Sequence, residues 1–223
     1  VQTSESTTGA AGADAKPRRV TKRRAETRQR LLDAAGEVFA AEGFGRSTVE
    51  QVCDRAGYTR GAFYSNFTSL DELFLAMWEQ RSAQMLDGIR TALADAASRP
   101  STMTLEPAVA LVLAAIPVDD AWYRITAEFT AHALRNPALT RVMVAREDAI
   151  LQTIMPIIED ALAAAGRRVT DREALGHALV ALHDGTSIQV LMEPHNEAVR
   201  QARERLFVTV VSSYSSSTDT DRR

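Results

Sequence analysis

The chain of 223 residues reads as an all-α protein. Three observations predict this class. Apolar residues recur at helical spacing through nearly all of the chain between two polar tails. Ser, Thr or Asp stands ahead of several of these runs, and Gly or Pro behind them, as helix ends require. No alternating run bounded by turn residues offers itself as a strand, and no internal repeat is present.

The elements follow in order. A first helix is expected from about Thr27 to Glu42, with Leu31, Leu32, Ala35, Val38 and Phe39 on one face and Gly43 ending it. A short second helix follows Ser47 and carries Val49, Val52, Cys53 and Ala56 at offsets of 3, 4 and 7 before Gly57 stops it. Thr59 caps a third helix whose Phe63 and Phe67 share a face. Gly57, Tyr58 and Thr59 form the short glycine-containing connection of a helix-turn-helix.

Ser69-Leu70-Asp71-Glu72 reads as a capping box in which Ser69 and Glu72 satisfy each other's free amide. The long fourth helix it opens reaches Ala97 through Leu73, Phe74, Met77, Trp78, Met85, Ile89 and Leu93, and Ser98-Arg99-Pro100 stops it. Further helices fit residues 105–115, 119–135 and 138–165, with Pro117 and Pro137 as punctuation and Pro156 as a kink. Thr170 and Glu173 suggest a second capping box opening a helix to Met192, and after Pro194 a last helix covers residues 196–212. About nine helices result, a small N-terminal bundle joined by the fourth helix to a larger one. VQTSESTTGAAGADA at the start and SSYSSSTDTDRR at the end are too polar to bury a core and are expected to be disordered.

Composition narrows the classes. A hydrophobic content of 45% suffices for a sizeable core, and the single Cys53 excludes an intramolecular disulfide and fits a reducing compartment. No stretch is long enough to span a bilayer, and the N-terminus lacks the basic-then-apolar order of a signal peptide. A cytoplasmic protein without a membrane partner is the expectation. The net charge of −3 hides an asymmetry. Residues 16–30 hold eight Lys and Arg against Glu26 alone; residues 1–60 carry +3 and residues 61–223 carry −6. Such segregation suits a chain with one end on a polyanion, although a solvated basic tail explains charge alone equally well.

Taken together, TRQRLLDAAGEVFAAEGFGRSTVEQVCDRAGYTRGAFYSNFTSLDELF resembles the DNA-binding domain of TetR-family transcriptional regulators over residues 26–78. The resemblance rests on the helix ending in FAAEGF, Thr48 opening the second helix, the AGYTRGAFYSNF turn and third helix, and the DELF start of the fourth. Beyond residue 79 it is one of architecture, with HDGTSIQVLMEP resembling the family's penultimate helix. It implies an N-terminal three-helix DNA-binding domain joined by the long helix to a C-terminal ligand-binding and dimerisation bundle. The divisions expected are a disordered tail over 1–20 with a basic arm following, a reading domain over 21–68, an effector and dimerisation domain over 69–212, and a tail over 213–223.

In that context the face of the third helix opposite Phe63 and Phe67 would meet DNA. It carries Thr59, Arg60, Gly61, Tyr64, Ser65 and Asn66. Arg60 suits guanine O6 and N7, Asn66 suits adenine or a phosphate, and Gly61 permits close backbone approach. The resemblance implies phosphate contacts for Tyr64 and Thr48; on spacing alone Tyr64 fits a half-buried core aromatic equally well. Leu70 and Thr68 stand where the family commonly has Lys, and the basic run that includes Arg23 and Arg24 is expected to offset them as an arm over the phosphates or in the minor groove. The resemblance further implies a homodimer on a palindromic double-stranded operator, formed through the last two helices. The first of them carries Leu175, Leu179, Leu182 and Thr186 down one side, and the second carries Ala198, Ala202, Leu206, Val210 and Tyr214; an intrachain core fits these positions too. It implies a small, largely hydrophobic or aromatic effector, for which Trp122, Phe129, His132, Met143, His183 and Asp184 are the candidate contacts, with repression as the usual mode.

Two other classes fit parts of the sequence. An all-helical enzyme would need a site from His132, His177 and His183 with Asp184, Glu128 and Asp119. There is no HExxH, no paired ExxH set and no Gly-rich phosphate loop, so no catalytic, metal or cofactor site is expected. A protein-interaction module with a basic arm for acidic partners is the second alternative.

Overall fold

The computed structural model describes residues 15–98 and 104–218, with backbone alone over residues 15–21. Its helices are α1 Ala15–Glu42, α2 Val49–Ala56, α3 Arg60–Tyr64, α4 Leu70–Ala97, α5 Leu105–Ala115, α6 Asp120–Ala133, α7 Pro137–Ala164, α8 Arg172–Met192 and α9 Glu197–Ser213. A 3₁₀ turn, Phe44–Arg46, follows α1. The fold is all-α apart from one short antiparallel pair, β1 Arg167–Val169 with β2 Ser215–Ser217. No described helix is long and apolar enough to cross a membrane.

The chain forms two compact units. The first takes the described residues up to Glu42 together with Arg46–Met77, and the second takes Gly43–Gly45 with the chain from Trp78 onward. In the first, α1 contributes Leu31, Leu32, Ala35, Val38 and Phe39 to the core, and Val52, Cys53, Phe63, Phe67, Leu73 and Phe74 are buried there as well. The periodicity that predicted these helices therefore marks their buried faces. In the second unit, Leu105, Val109, Met155, Leu162, Leu175, Phe207 and Val211 form a core cluster.

Several expectations are corrected. α1 starts at Ala15, twelve residues before Thr27, so residues 15–20 are helical rather than part of a tail. Arg, Lys, Ala and Glu, which favour helix, make up most of that stretch, and Pro17 lies in the first turn, where no amide partner is lost. The extension is mostly exposed from Lys22 to Arg30, and a helix with no buried face leaves no hydrophobic period to read. Arg23 and Arg24 accordingly lie on a helix, not on an extended arm. The tail expected over residues 1–14, and the last residues, 219–223, lie outside the described residues.

The C-terminal tail is also shorter than expected, because Ser215–Ser217 pairs with β1 in the register Arg167↔Ser217, Arg168↔Ser216 and Val169↔Ser215. Arg167 fastens the pair: its Nε donates to Ser215 Oγ and its Nη2 to the Ser215 carbonyl, each at 2.8 Å. Three serines carry no apolar alternation, and their partner is far away in sequence. At the start of α8, Asp171 rather than Thr170 is the cap, accepting from the Ala174 amide at 3.0 Å. Pro137 is the first residue of α7, and Pro156 lies inside that helix.

The capping box at α4 is shifted by one residue. Ser69 Oγ accepts from the Glu72 amide at 3.1 Å as expected. The Glu72 carboxylate, however, accepts from the amide and hydroxyl of Thr68, both at 2.6 Å, and these bonds hold its pKa below the usual range. Thr68, where the family commonly has Lys, thus closes the start of α4.

Candidate nucleic-acid interface

The interface is built on α2, the turn after it, and α3. Thr48 caps α2 with a complete box: its hydroxyl oxygen accepts from the Gln51 amide at 3.2 Å, and the Thr48 amide donates to Gln51 Oε1 at 2.8 Å. Gly57 ends α2 at φ +71°, the left-handed conformation that glycine adopts without penalty. The Tyr58 amide then reaches the Cys53 carbonyl at 2.9 Å, and the Gly57 amide reaches that of Asp54 at 3.3 Å. This Schellman closure reverses the chain within three residues and sets α3 at its angle. Thr59 caps α3 by accepting from the Ala62 amide at 3.3 Å.

α3 covers only Arg60–Tyr64, and the chain closes with a tight turn in which the Asn66 amide donates to the Phe63 carbonyl at 2.8 Å. Phe63 and Phe67 are buried as expected, their rings 5.9 Å apart. Tyr64 is 50% exposed and packs edge-on against Phe63, so it is a surface residue and not a core aromatic. Thr48, Thr59, Arg60, Gly61 and Ser65 are exposed too. A Cβ on Gly61 would meet only Thr59 Oγ1, at 3.7 Å.

Asn66 departs from the open face assigned to it. Its Nδ2 donates to the Ala62 carbonyl at 2.8 Å, and its Oδ1 is buried without a partner. Where α3 ends, the side chain turns back on the last helical carbonyls instead of pointing outward. Ser65 is exposed, but its hydroxyl donates to the Gly61 carbonyl at 2.6 Å. The arginines are likewise held. Arg60 Nη1 lies 2.8 Å from Glu50 Oε1, and its guanidinium lies 6.0 Å from the Tyr64 ring centre. Arg24 Nη2 donates to the Ser65 carbonyl at 2.9 Å, and Arg28 lies over the Phe67 ring at 5.2 Å. Arg23 is exposed. The pairing of Glu50 with Arg60 was not legible in the sequence, since ten positions across a turn match no helical spacing.

Against known families, residues 31–77 match the bacterial regulatory proteins of the tetR family, and residues 102–212 match the C-terminal region of BetI-type transcriptional repressors. The chain belongs to the TetR family of transcriptional regulators. The HTH-type transcriptional regulator SrpR of Pseudomonas putida is 46% identical over 56 residues, 25% of this chain and 26% of SrpR. The aligned stretch thus spans only about a quarter of that relative. A TetR-family regulator from Mesorhizobium loti shares the fold at a TM-score of 0.65 and 18% identity, over 86% of this chain and 96% of that one. The Bacillus subtilis regulator FadR, solved with stearoyl-CoA, does so at 0.61 and 18%, over 82% and 97%.

In the larger unit of this TetR-family chain, the candidate effector contacts mostly have protein partners. Phe129 is fully buried and meets Phe44 edge-on at 4.9 Å, while His132 lies against the same Phe44 ring at 5.4 Å. Phe129 is a core residue of this structure, and His132 is half-buried beside it. Arg81 covers Trp122 at 4.9 Å and pairs with Asp119 at 3.3 Å. Met143 is half-buried and Asp184 exposed. His183 Nδ1 faces Arg203 Nη2 at 3.1 Å. Burial first, and the neighbouring guanidinium second, push the imidazole down to about 4.

Arg203 is a residue that sequence reasoning missed. It is 7% exposed, and its Nη1 donates to Thr186 Oγ1 at 2.6 Å and Ser187 Oγ at 3.1 Å. Desolvation lowers its pKa. Arg203, Phe207 and Val211 are the buried positions of α9, so the inward face is displaced by one residue from the expected stripe of Ala202, Leu206 and Val210. The spacing of four from Arg203 to Phe207 to Val211 was the available sign. Leu175, Leu179, Leu182, Val210 and Tyr214, read as a dimer seam, pack in or against the chain's own core, while Leu206 and Met192 stay exposed.

Proposed function

We propose that this TetR-family chain binds a palindromic DNA operator as a homodimer and represses transcription until a small hydrophobic or aromatic effector releases it. The observation that carries the DNA-binding half is the division of α3. Phe63 is wholly buried while Thr59, Arg60, Gly61 and Tyr64 stand exposed on a helix-turn-helix, the geometry that a major-groove reader needs. In this reading residues 21–68 are the reading domain and residues 69–212 hold the effector and dimer surfaces. Arg60 reads guanine; Thr48 and Tyr64 offer hydroxyls to phosphates; Thr59, Gly61 and Ser65 line the approach; Arg23 adds phosphate affinity from α1. Arg24 and Asn66 brace the end of α3.

Repression is supported by the BetI-type match over residues 102–212. An apolar effector is supported by the likeness in fold to FadR, which was solved with stearoyl-CoA. Of the candidate contacts, Trp122, His132, Met143, His183 and Asp184 retain exposed surface in this state; Phe129 would join only after rearrangement. An effector shifts the equilibrium only by its difference in affinity between the DNA-bound and released states.

Selection of duplexes from a random pool by the full chain tests the first half: an inverted repeat with half-sites about one helical turn apart is expected. Failure to enrich any sequence would refute it. Titration of the enriched complex with stearoyl-CoA and with aromatic cations tests the second. Release of DNA is expected; a complex indifferent to every such compound removes the effector from the proposal.

A further inference from the structure

The segment from Val49 to Tyr64 carries Arg55 and Arg60 against Glu50 and Asp54, and so has no net charge. Both of its arginines are engaged, Arg55 with Glu37 at 2.6 Å and Arg60 with Glu50 at 2.8 Å. A surface that read DNA through attraction to phosphate would leave these cations available. Here the cationic surplus lies instead on α1, where residues 22–30 hold five Lys and Arg against Glu26.

We infer that Glu50 is a specificity-determining residue of the reading head, withholding Arg60 from DNA except where a base offers the guanidinium two acceptors. The inference rests on the DNA-binding reading proposed above. Glu50 occupies the first turn of α2 and Arg60 the first of α3; both are exposed, and their ion pair spans the turn between the helices. The Tyr64 ring centre lies 6.0 Å from the same guanidinium.

Magnitudes decide the outcome. An exposed ion pair shifts an equilibrium by about 1.5- to 5-fold. Exchanging the Glu50 carboxylate for one phosphate oxygen replaces one anion by another, so on arbitrary DNA the exchange brings little. Glu50 meets the guanidinium through Nη1, so the Nε–Nη2 edge can donate to guanine O6 and N7 with the pair kept, a bidentate contact worth about 5- to 150-fold in discrimination. Glu50 thereby cancels the contribution of Arg60 to sequence-independent binding and keeps it for the correct base.

The test uses the full chain as wild type, Glu50→Gln, Arg60→Ala and the double variant. Each is titrated, across a range of salt, against a random-sequence duplex of about three helical turns and against the sequence that the wild type enriches from a random pool. Glu50→Gln is expected to bind the random duplex about three- to tenfold more tightly, with the salt slope steeper by about 0.9 per protomer, the value for one freed phosphate contact. Affinity for the enriched sequence should stay within about twofold, so that discrimination falls. With Arg60 already Ala, the Gln substitution should change nothing, because the pair it breaks is gone.

A gain of the same size in the Arg60→Ala background would make Glu50 a plain repulsive charge and overturn the inference. So would a loss of affinity for both duplexes, or no change for either. Glu50 is exposed and Gln is compatible with helix, so thermal melts should coincide. If they do not, Glu50→Asp, which keeps the charge at the start of α2 but shortens the reach, must reproduce the lost discrimination. A wild type that enriches no sequence overturns the DNA-binding reading and this inference with it; enrichment without any Glu50 effect overturns this inference alone.

Discussion

Arg24 Nη2 donates to the carbonyl of Ser65 across 2.9 Å, joining the extended N-terminal part of α1 to the end of α3. The bond places a cation where the helix leaves its carbonyls unpaired, and a positive charge there is stabilising. Two neighbouring arginines therefore have different duties. Arg24→Ala should lower stability by about 0.5–1.5 kcal/mol in urea unfolding, a range that allows for solvent screening. Arg23→Ala should leave stability within about 0.5 kcal/mol and instead flatten the salt dependence of DNA binding by about 0.9 per protomer. Equal loss of stability in the two variants would contradict this division.

Gly57→Ala tests the turn. A Cβ at this position meets no atom within 4 Å, yet the residue sits at φ +71°. The cost is therefore conformational, about 1–2 kcal/mol, with no contribution from a clash. Thermal or urea melts measure it. A much larger loss would mean that the turn also packs against something the methyl displaces.

Phe129→Ala separates core from effector contact. The ring is fully buried against Phe44, and its removal should cost about 3–5 kcal/mol. Denaturant unfolding decides the matter. A variant that melts like the wild type and loses only effector binding would return Phe129 to the ligand site.

Stability should depend on pH through His183. Its pKa is lowered from 6.5 to about 4 in the folded chain, so the unfolded chain binds the proton more tightly. The contribution is complete above pH 6.5 and is lost as pH falls toward 4. Between pH 7.5 and 5 the loss attributable to this residue is about 2 kcal/mol. His183→Gln should remove that part of the acid sensitivity, visible when urea melts of the two proteins are compared at both pH values. An unchanged difference would assign the acid sensitivity to other groups.

Much of the fold was legible because its signals are local. Leu31, Leu32, Ala35, Val38 and Phe39 declared the buried face of α1, and all five are buried. Gly57 and Thr59 bounded the turn, and both act as read, one as the left-handed end of α2 and the other as the cap of α3. Polar residues were harder to place. Asn66 read as a groove residue because its register is outward, but α3 stops at Tyr64 and the amide folds back on Ala62. Arg203 stands within a charged run and carries no apolar signal, yet it is buried against hydroxyls from α8.

The sequence by itself determined the helices, their buried faces, the helix-turn-helix and the family, since capping, turn chemistry and apolar period act within a few residues of one another. Only the tertiary structure decided the partners of the charged and polar groups: Glu50 for Arg60, the Ser65 carbonyl for Arg24, and His183, Thr186 and Ser187 for Arg203. It also decided that three C-terminal serines form a strand. A hydrophobic face has many acceptable neighbours and leaves a period in the sequence. A hydrogen bond or ion pair between distant segments needs one particular approach of two backbones, and no local pattern records it.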